Sequence, residues 1–151
     1  MGKKIGAIFL VLLWMMVIFS FSAKNGSSSS GMSRKVITTA VETFTEIEDE
    51  TPEMDKVVKI LSFPVRKGAH FFLYFVLGML VFYALHLWGI KKRVILYAFF
   101  ICALYAASDE WHQTFVATRS GEVKDVLLDS FASLLAIFLF SFVQIKRKRY
   151  E

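Results

Sequence analysis

Polar side chains that could transfer protons or bind anions occur in three short segments of the sequence. The first segment contributes Arg66, Lys67, His70 and Tyr74, the second Asp109, Glu110, His112 and Gln113, and the third Arg119, Asp125 and Asp129. Residues four positions apart share a helix face, so a helical segment presents several of these groups together. Neighbouring carboxylates and imidazoles can act as general acids and bases, and guanidinium groups hold phosphate or carboxylate with paired hydrogen bonds.

These chemistries divide the residues into two sets. The candidate catalytic cluster is Asp109, Glu110 and His112, with His70 as their partner. The candidate ligand-binding residues are Arg66, Lys67, Tyr74, Gln113, Arg119, Asp125 and Asp129. We predict no metal and no cofactor, because the sequence lacks an H-E-x-x-H element, a phosphate-binding glycine loop and a dinucleotide fingerprint. A divalent cation held by these histidines and carboxylates is the alternative.

The composition indicates that these groups belong to a membrane protein. Of 151 residues 56% are hydrophobic, a larger fraction than is typical of soluble domains. Sixteen residues are Phe, and the mean hydropathy is +0.52. The single cysteine, Cys102, excludes an internal disulfide and a multi-cysteine zinc site. The net charge of +5 does not indicate a nucleic-acid partner, because the basic residues share no water-exposed face.

Four apolar stretches are long enough to cross a hydrocarbon core of about 30 Å as helices. They are Ile5–Ala23, Ala69–Trp88, Val94–Phe115 and Val126–Ile145. The third reaches this length only if it includes Asp109, which then lies in the last third of a spanning helix. The predicted fold class is all-α, an antiparallel bundle of four transmembrane helices, in which Gly78, Ala132 and Ala136 favour close helix packing.

The chain divides into three parts. Residues 1–23 form a transmembrane anchor or, alternatively, a cleaved signal peptide with a small-residue cleavage site at Ser20 and Ser22. Residues 24–65 form an extracytoplasmic segment. Residues 66–151 form a core of three transmembrane helices followed by a basic tail.

The extracytoplasmic segment predicts two short amphipathic helices. Gly26–Gly31 is rich in Ser and Gly and is typical of a flexible linker. A first apolar stripe at helical spacing follows: Ile37, Ala40, Val41, Phe44 and Ile47. A second helix begins with Thr51 as N-cap and Pro52 as its first residue, and its stripe is Met54, Val57, Val58 and Leu61. We expect both helices to rest on the membrane surface or to cover the bundle.

The distribution of charge predicts the orientation in the cell membrane. Nine of the 18 Lys and Arg residues, but only one of the 13 acids, lie at the N-terminus, in residues 91–93 and in the C-terminal tail. Basic residues accumulate on the cytoplasmic side, so both termini are predicted to be cytoplasmic. The three polar segments then meet at the outer surface, where Arg119 could fold over the cluster and Gly121 permits a positive-φ turn.

Energetics predict that the acids lie inside the bundle. An isolated charge at the centre of a spanning helix costs about 2.5–3.5 kcal/mol. Asp109 and Asp129 are therefore expected to face one another, close to basic partners, rather than the lipid. Arg66 and Lys67, taken alone, could equally snorkel to the interface.

The three segments resemble those of the VanZ-like family. Lys67, His70 and Tyr74 match a K-x-x-H-x-x-x-Y element, Asp109, Glu110 and Gln113 a D-E-x-x-Q element, and Arg119 and Asp125 an R-x-x-x-x-x-D element. The resemblance extends from about Arg66 to the fourth span, and the first span also lies in a typical place. It implies a small multi-span helical protein of Gram-positive or other bacteria. The founding member of that family is associated with low-level resistance to teicoplanin, a lipoglycopeptide that acts on the cell wall.

The first functional hypothesis is an outer-face site that binds or processes an envelope amphiphile. Candidate partners are a membrane lipid, a lipid-linked cell-wall precursor and the lipoglycopeptide itself, and the sequence leaves open whether catalysis occurs. One alternative is a non-enzymatic interaction or transport module, and another is a scaffold whose ion pairs set helix register. Oligomerisation is compatible with each.

Overall fold

The computed structural model describes residues 1–24, 26–45 and 51–149. These residues form five helices: α1 (Gly2–Ser22), α2 (Gly26–Phe44), α3 (Pro52–Leu87), α4 (Val94–Gln113) and α5 (Val123–Arg149). All except α2 contain a stretch long and apolar enough to cross a membrane. The predicted all-α, four-span architecture is confirmed, and the chain is a multi-pass membrane protein.

Helix α3 joins two elements that the sequence analysis separates. It begins as predicted, with Pro52 in the first turn and the Thr51 hydroxyl accepting a 3.2 Å hydrogen bond from the backbone N–H of Met54. It then continues through Pro64 to Leu87, so the expected break before Ala69 is absent. A proline removes one backbone hydrogen bond but does not by itself end a helix whose flanks are packed. At 1.5 Å per residue this helix is roughly 54 Å long, so it extends beyond a hydrocarbon core of about 30 Å.

Helix α2 covers one side of the bundle. It starts at Gly26, so the flexible linker predicted at Gly26–Gly31 is wrong, because these residues belong to a helix that packs on α3. Of the predicted stripe Ile37 is buried, Val41 is half-buried, Ala40 and Phe44 are exposed, and Ile47 lies outside the described residues. The stripe therefore meets the bundle mainly through Ile37. A 2.7 Å ion pair between Arg34 and Asp55 also joins α2 to α3.

The core lies where α3 and α4 pack against α5. A Cβ atom built on Gly78 of α3 would lie 2.5 Å from the backbone oxygen of Ser133 in α5, so only glycine permits this approach. Ala132 and Ala136 are fully buried on the same side of α5. The close packing predicted for these three small residues is confirmed.

Helix α1 is bound to the other helices by polar contacts as well as apolar ones. The indole N–H of Trp14 donates to the carbonyl of Leu73 at 2.8 Å, and the hydroxyl of Tyr105 donates to the carbonyl of Met15 at 2.6 Å. Each bond joins a side chain to the backbone of another spanning helix, where water is not available as a substitute partner. These contacts attach α1 to α3 and α4.

Candidate functional site

A cavity of about 480 Å³ lies where α2, α3 and α5 meet the loop between α4 and α5. We call it the head-group cavity. Seven of the eleven predicted site residues line it: Arg66, Lys67, His70, Gln113, Arg119, Asp125 and Asp129. The rest of its wall is largely apolar and includes Met32 and Val36 of α2 and Phe63, Phe72 and Leu73 of α3.

His70 and Asp129 form the floor of the head-group cavity. The Nδ1 atom of His70 in α3 lies 3.7 Å from the Oδ2 atom of Asp129 in α5, a distance at which a protonated imidazole and a carboxylate attract one another. Asp129 is 1% exposed, and neither of its carboxylate oxygens accepts a hydrogen bond from the described residues. When it is protonated, the His70 imidazole is the cation paired with this buried acid.

A chain of hydrogen bonds connects the cavity wall to the interior. Arg119 donates to the side-chain oxygen of Gln113 at 3.0 Å. The Gln113 nitrogen donates to Glu110 at 3.1 Å and to Asp109 at 3.4 Å, and Ser22 of α1 donates to Asp109 at 2.7 Å. Because both carboxylates attract the amide nitrogen, the amide oxygen of Gln113 faces the guanidinium. Asp109 and Glu110 thus orient Arg119 through Gln113.

The loop that carries Arg119 is fixed against the end of α4. The backbone N–H of Glu122 donates to the carboxylate of Glu110 at 2.9 Å. A Cβ atom on Gly121 would lie 2.6 Å from the carbonyl oxygen of Glu110, so the loop approaches closely because this residue is glycine. The positive-φ turn that Gly121 permits is not formed there; Thr118 adopts it, with φ 63°. Gly121 contributes through its small size instead.

Four basic side chains line the cavity, Lys24, Arg66, Lys67 and Arg119, beside three carboxylates, Glu122, Asp125 and Asp129. Lys67 is paired with Asp125, and His70 faces Asp129. Among the described residues, neither Arg66 nor Arg119 has a carboxylate within ion-pair distance. Burial lowers the pKa of Arg119 from its usual value, and the charge of Arg66 lowers it further, while Asp109 and Glu110 oppose the change. Arginine nevertheless stays protonated, so an anion placed between the two guanidinium groups would be stabilised.

A family model described as VanZ/LLP1 matches residues 7–144. The chain belongs to the VanZ/LLP1 family. The resemblance inferred from the three polar segments and the first span is therefore confirmed, and the match also includes α2, which the resemblance did not cover. No curated protein and no solved structure matches the chain.

Four of the eleven predicted site residues of this VanZ/LLP1 protein do not line the head-group cavity. Asp109 and Glu110 are buried behind Gln113, and Tyr74 is fully buried with its ring 6.2 Å from that of Tyr105. The ring of His112 lies 4.5 Å from that of Phe19 in α1, and its buried Nδ1 atom has no hydrogen-bond partner among the described residues. Of the four candidate catalytic residues, His70 is the one that lines the cavity.

The cavity also includes residues that sequence reasoning did not select. Ser22 supports Asp109 from α1, and Lys24, which follows that helix, lines the cavity. Both could have been found from topology, because the end of the first span must reach the same surface as the three polar segments. No sequence feature indicated that residues of α2 would line the cavity wall. In the part of the chain that the structure describes, no group of three or more His, Cys, Asp or Glu side chains is arranged to hold a metal ion.

Proposed function

We propose that this VanZ/LLP1 protein binds the anionic head group of an envelope amphiphile in the head-group cavity, on the outer face of the cell membrane. The amphiphile is a membrane lipid, a lipid-linked cell-wall precursor or a lipoglycopeptide. The observation that carries the proposal is the pair Arg66 and Arg119, which line one cavity without a carboxylate partner among the described residues.

The electrostatics favour an anion of phosphate or carboxylate type. Two nearby guanidinium groups repel one another, and partial burial strengthens this repulsion because fewer waters screen it. A phosphate or carboxylate would accept hydrogen bonds from both groups and remove the repulsion. The hydrogen bond from Arg119 to Gln113 holds one of the two guanidinium groups in place in advance.

The apolar wall favours an amphiphile over a small water-soluble anion. Phe63, Phe72 and Leu73 of α3 face the cavity together with Met32 and Val36 of α2. Such a surface gains little from contact with a fully hydrated ion, whereas it matches the hydrocarbon part of a lipid. The placement on the outer face is supported by the nine basic residues that the sequence concentrates at the opposite end of the spans.

One contact, between His70 and Asp129, supports the idea that the protein also reacts with the bound ligand. His70 lies at the cavity floor and faces the buried carboxylate of Asp129, which favours the protonated imidazole by its charge. In a processing reaction His70 would exchange the proton with the ligand, Asp129 would support its charge, and Asp109 and Glu110 would act as positioning residues. Binding is the first part of the proposal, and this proton transfer depends on it.

The test combines a resistance assay with a binding assay. The wild type and the variants Arg119→Gln and Lys92→Gln are expressed in a susceptible Gram-positive host and challenged with teicoplanin. The same proteins are purified in nanodiscs that contain phosphatidylcholine with a minor fraction of phosphatidic acid, and the lipid that they retain is measured by native mass spectrometry. We expect Arg119→Gln to lose protection and retained phosphatidic acid, and Lys92→Gln, in the turn at the other end of the bundle, to keep both.

Each readout has a contradicting result. Equal protection and equal lipid retention in all three proteins would contradict the proposed site. Loss of binding without loss of protection would separate the site from resistance. Folding of each protein is checked by size-exclusion chromatography. If Arg119→Gln misfolds, Arg119→Lys takes its place, because lysine keeps the charge but cannot form the paired hydrogen bonds of a guanidinium group.

A further inference from the structure

A second, open groove of about 310 Å³ lies on the surface of the C-terminal half of α1. Its lining residues follow one face of that helix: Leu13, Met16, Val17, Ser20, Phe21 and Lys24. We call it the α1 groove. Leu13, Met16 and Phe21 are substantially exposed in a helix long and apolar enough to span the membrane, so hydrocarbon surrounds this face. Ser20 is the small residue among them, and its hydroxyl is turned back to the carbonyl of Met16 in its own helix.

The α1 groove and the head-group cavity share two lining residues. Phe21 and Lys24 belong to both, so one surface continues from the apolar face of α1 into the cationic cavity. A ligand that occupied both would need an apolar part in the lipid and an anionic part above it. A free phosphate ion would fill only the cavity.

Lys24 stands at this shared edge with weak partners. Its ammonium lies 3.2 Å from the sulfur of Met32 and 4.9 Å from the centre of the Phe21 ring. In the described part of the chain no carboxylate is paired with it. Thioether sulfur is a poor acceptor for an ammonium group, so a passing phosphate would be a better partner.

We infer that the α1 groove holds the hydrocarbon chain of a phosphate-bearing lipid that enters from the surrounding bilayer, while Lys24, Arg66 and Arg119 bind its phosphate. This inference rests on the proposed function and narrows it to a ligand class: a bilayer lipid with an anionic phosphate head group, bound from the side. The hydrocarbon chain of the lipid stays in the bilayer throughout, and only its head group moves into the cavity. No step of this entry requires the chain to cross water.

The test fills the groove without touching the cationic residues. Ser20→Trp places an indole in the α1 groove, and Leu127→Trp is the matched control, because Leu127 is exposed near the start of α5 and lines neither surface. Each protein is reconstituted in nanodiscs of phosphatidylcholine with a minor fraction of dioleoyl phosphatidic acid, and retained lipid is measured by native mass spectrometry. In a second arm, glycerol 3-phosphate is titrated against the proteins in nanodiscs without phosphatidic acid.

We expect Ser20→Trp to retain several-fold less phosphatidic acid than Leu127→Trp, while both bind glycerol 3-phosphate as the wild type does. Equal retention by the two tryptophan variants, whether high or low, would overturn the groove assignment. Ser20→Leu, a smaller filling, replaces Ser20→Trp if the latter fails to fold. The proposed function fails in a different way: Arg119→Gln would then leave both phosphatidic acid and glycerol 3-phosphate binding unchanged.

Discussion

Ser22, the last residue of α1, donates a 2.7 Å hydrogen bond to the carboxylate of Asp109 in α4. Both residues are buried, and the other oxygen of Asp109 has no hydrogen-bond partner among the described residues. The first helix therefore helps to satisfy the acid that orients Gln113 and, through it, Arg119. An element that looks like a simple anchor in the sequence is part of the site's support.

Replacement of Ser22 by Ala should destabilise the protein. It removes the 2.7 Å hydrogen bond to the buried Asp109 carboxylate and leaves the same oxygen with only the 3.4 Å bond from Gln113, so a loss of about 1–3 kcal/mol in the free energy of unfolding is expected. Chemical unfolding in detergent micelles, followed by helical circular dichroism, measures the change. Ser20→Ala is the control, because the exposed Ser20 hydroxyl bonds only to its own helix; equal stability of the two variants would contradict the role of Ser22.

Two glycines of α3 should respond in opposite directions to alanine. In Gly78→Ala the new methyl group would meet the backbone of Ser133 at 2.5 Å, so helices α3 and α5 must separate, at a cost of about 1–3 kcal/mol. Gly68→Ala meets nothing within 4 Å and removes a poor helix former, so a gain of up to about 1 kcal/mol is expected. Thermal unfolding of both variants in the same detergent checks the pair. If Gly78→Ala had the same unfolding temperature as the wild type, the α3–α5 contact would not be as close as described.

Much of this architecture could be predicted from the sequence. The spans follow from apolar length, and the burial of Asp109 and Asp129 inside the bundle follows from the cost of exposing charge to lipid. The basic partner expected beside Asp109 is not what the structure shows, because Asp109 accepts hydrogen bonds from Ser22 and Gln113. The continuity of α3 through Pro64 could not be predicted, because it depends on packing against neighbouring helices rather than on local signals. The distribution of polar residues between the cavity surface and its support, with His112 against Phe19, also depends on side-chain directions that spacing leaves undetermined.

Gln113 and Arg119 should act as one unit in ligand binding. Gln113→Leu keeps the volume close to that of the amide but removes the acceptor that holds the guanidinium. We expect Gln113→Leu and Arg119→Gln each to weaken phosphatidic acid binding, and the double variant to be little worse than Arg119→Gln alone, because coupled residues are not additive. Binding in nanodiscs measures all four proteins. Fully additive losses would mean that Gln113 does not act through Arg119.

His70 and Asp129 should show coupling in stability. His70→Ala leaves a carboxylate that is 1% exposed without the imidazole 3.7 Å from it, and a buried acceptor that loses its partner costs about 1–3 kcal/mol in the free energy of unfolding. Asp129→Asn removes the charge, so adding it to His70→Ala should recover part of the lost stability. Unfolding of the two single variants and the double variant tests this. A double variant as unstable as the sum of the single losses would contradict the pairing.

The orientation in the membrane can be tested at two loops. In a Cys102→Ala background, a single cysteine is introduced as Lys92→Cys in the turn between α3 and α4 or as Ser120→Cys in the loop between α4 and α5; both positions are exposed. Because basic residues accumulate on the cytoplasmic side, a membrane-impermeant maleimide applied to intact cells should label the Ser120→Cys protein and leave the Lys92→Cys protein unlabelled until the cells are lysed. Labelling of Lys92→Cys alone would place the head-group cavity on the cytoplasmic side. A lipid of the inner leaflet would then be its ligand, since the cationic groups and the α1 groove lie at the same end of the bundle as Ser120.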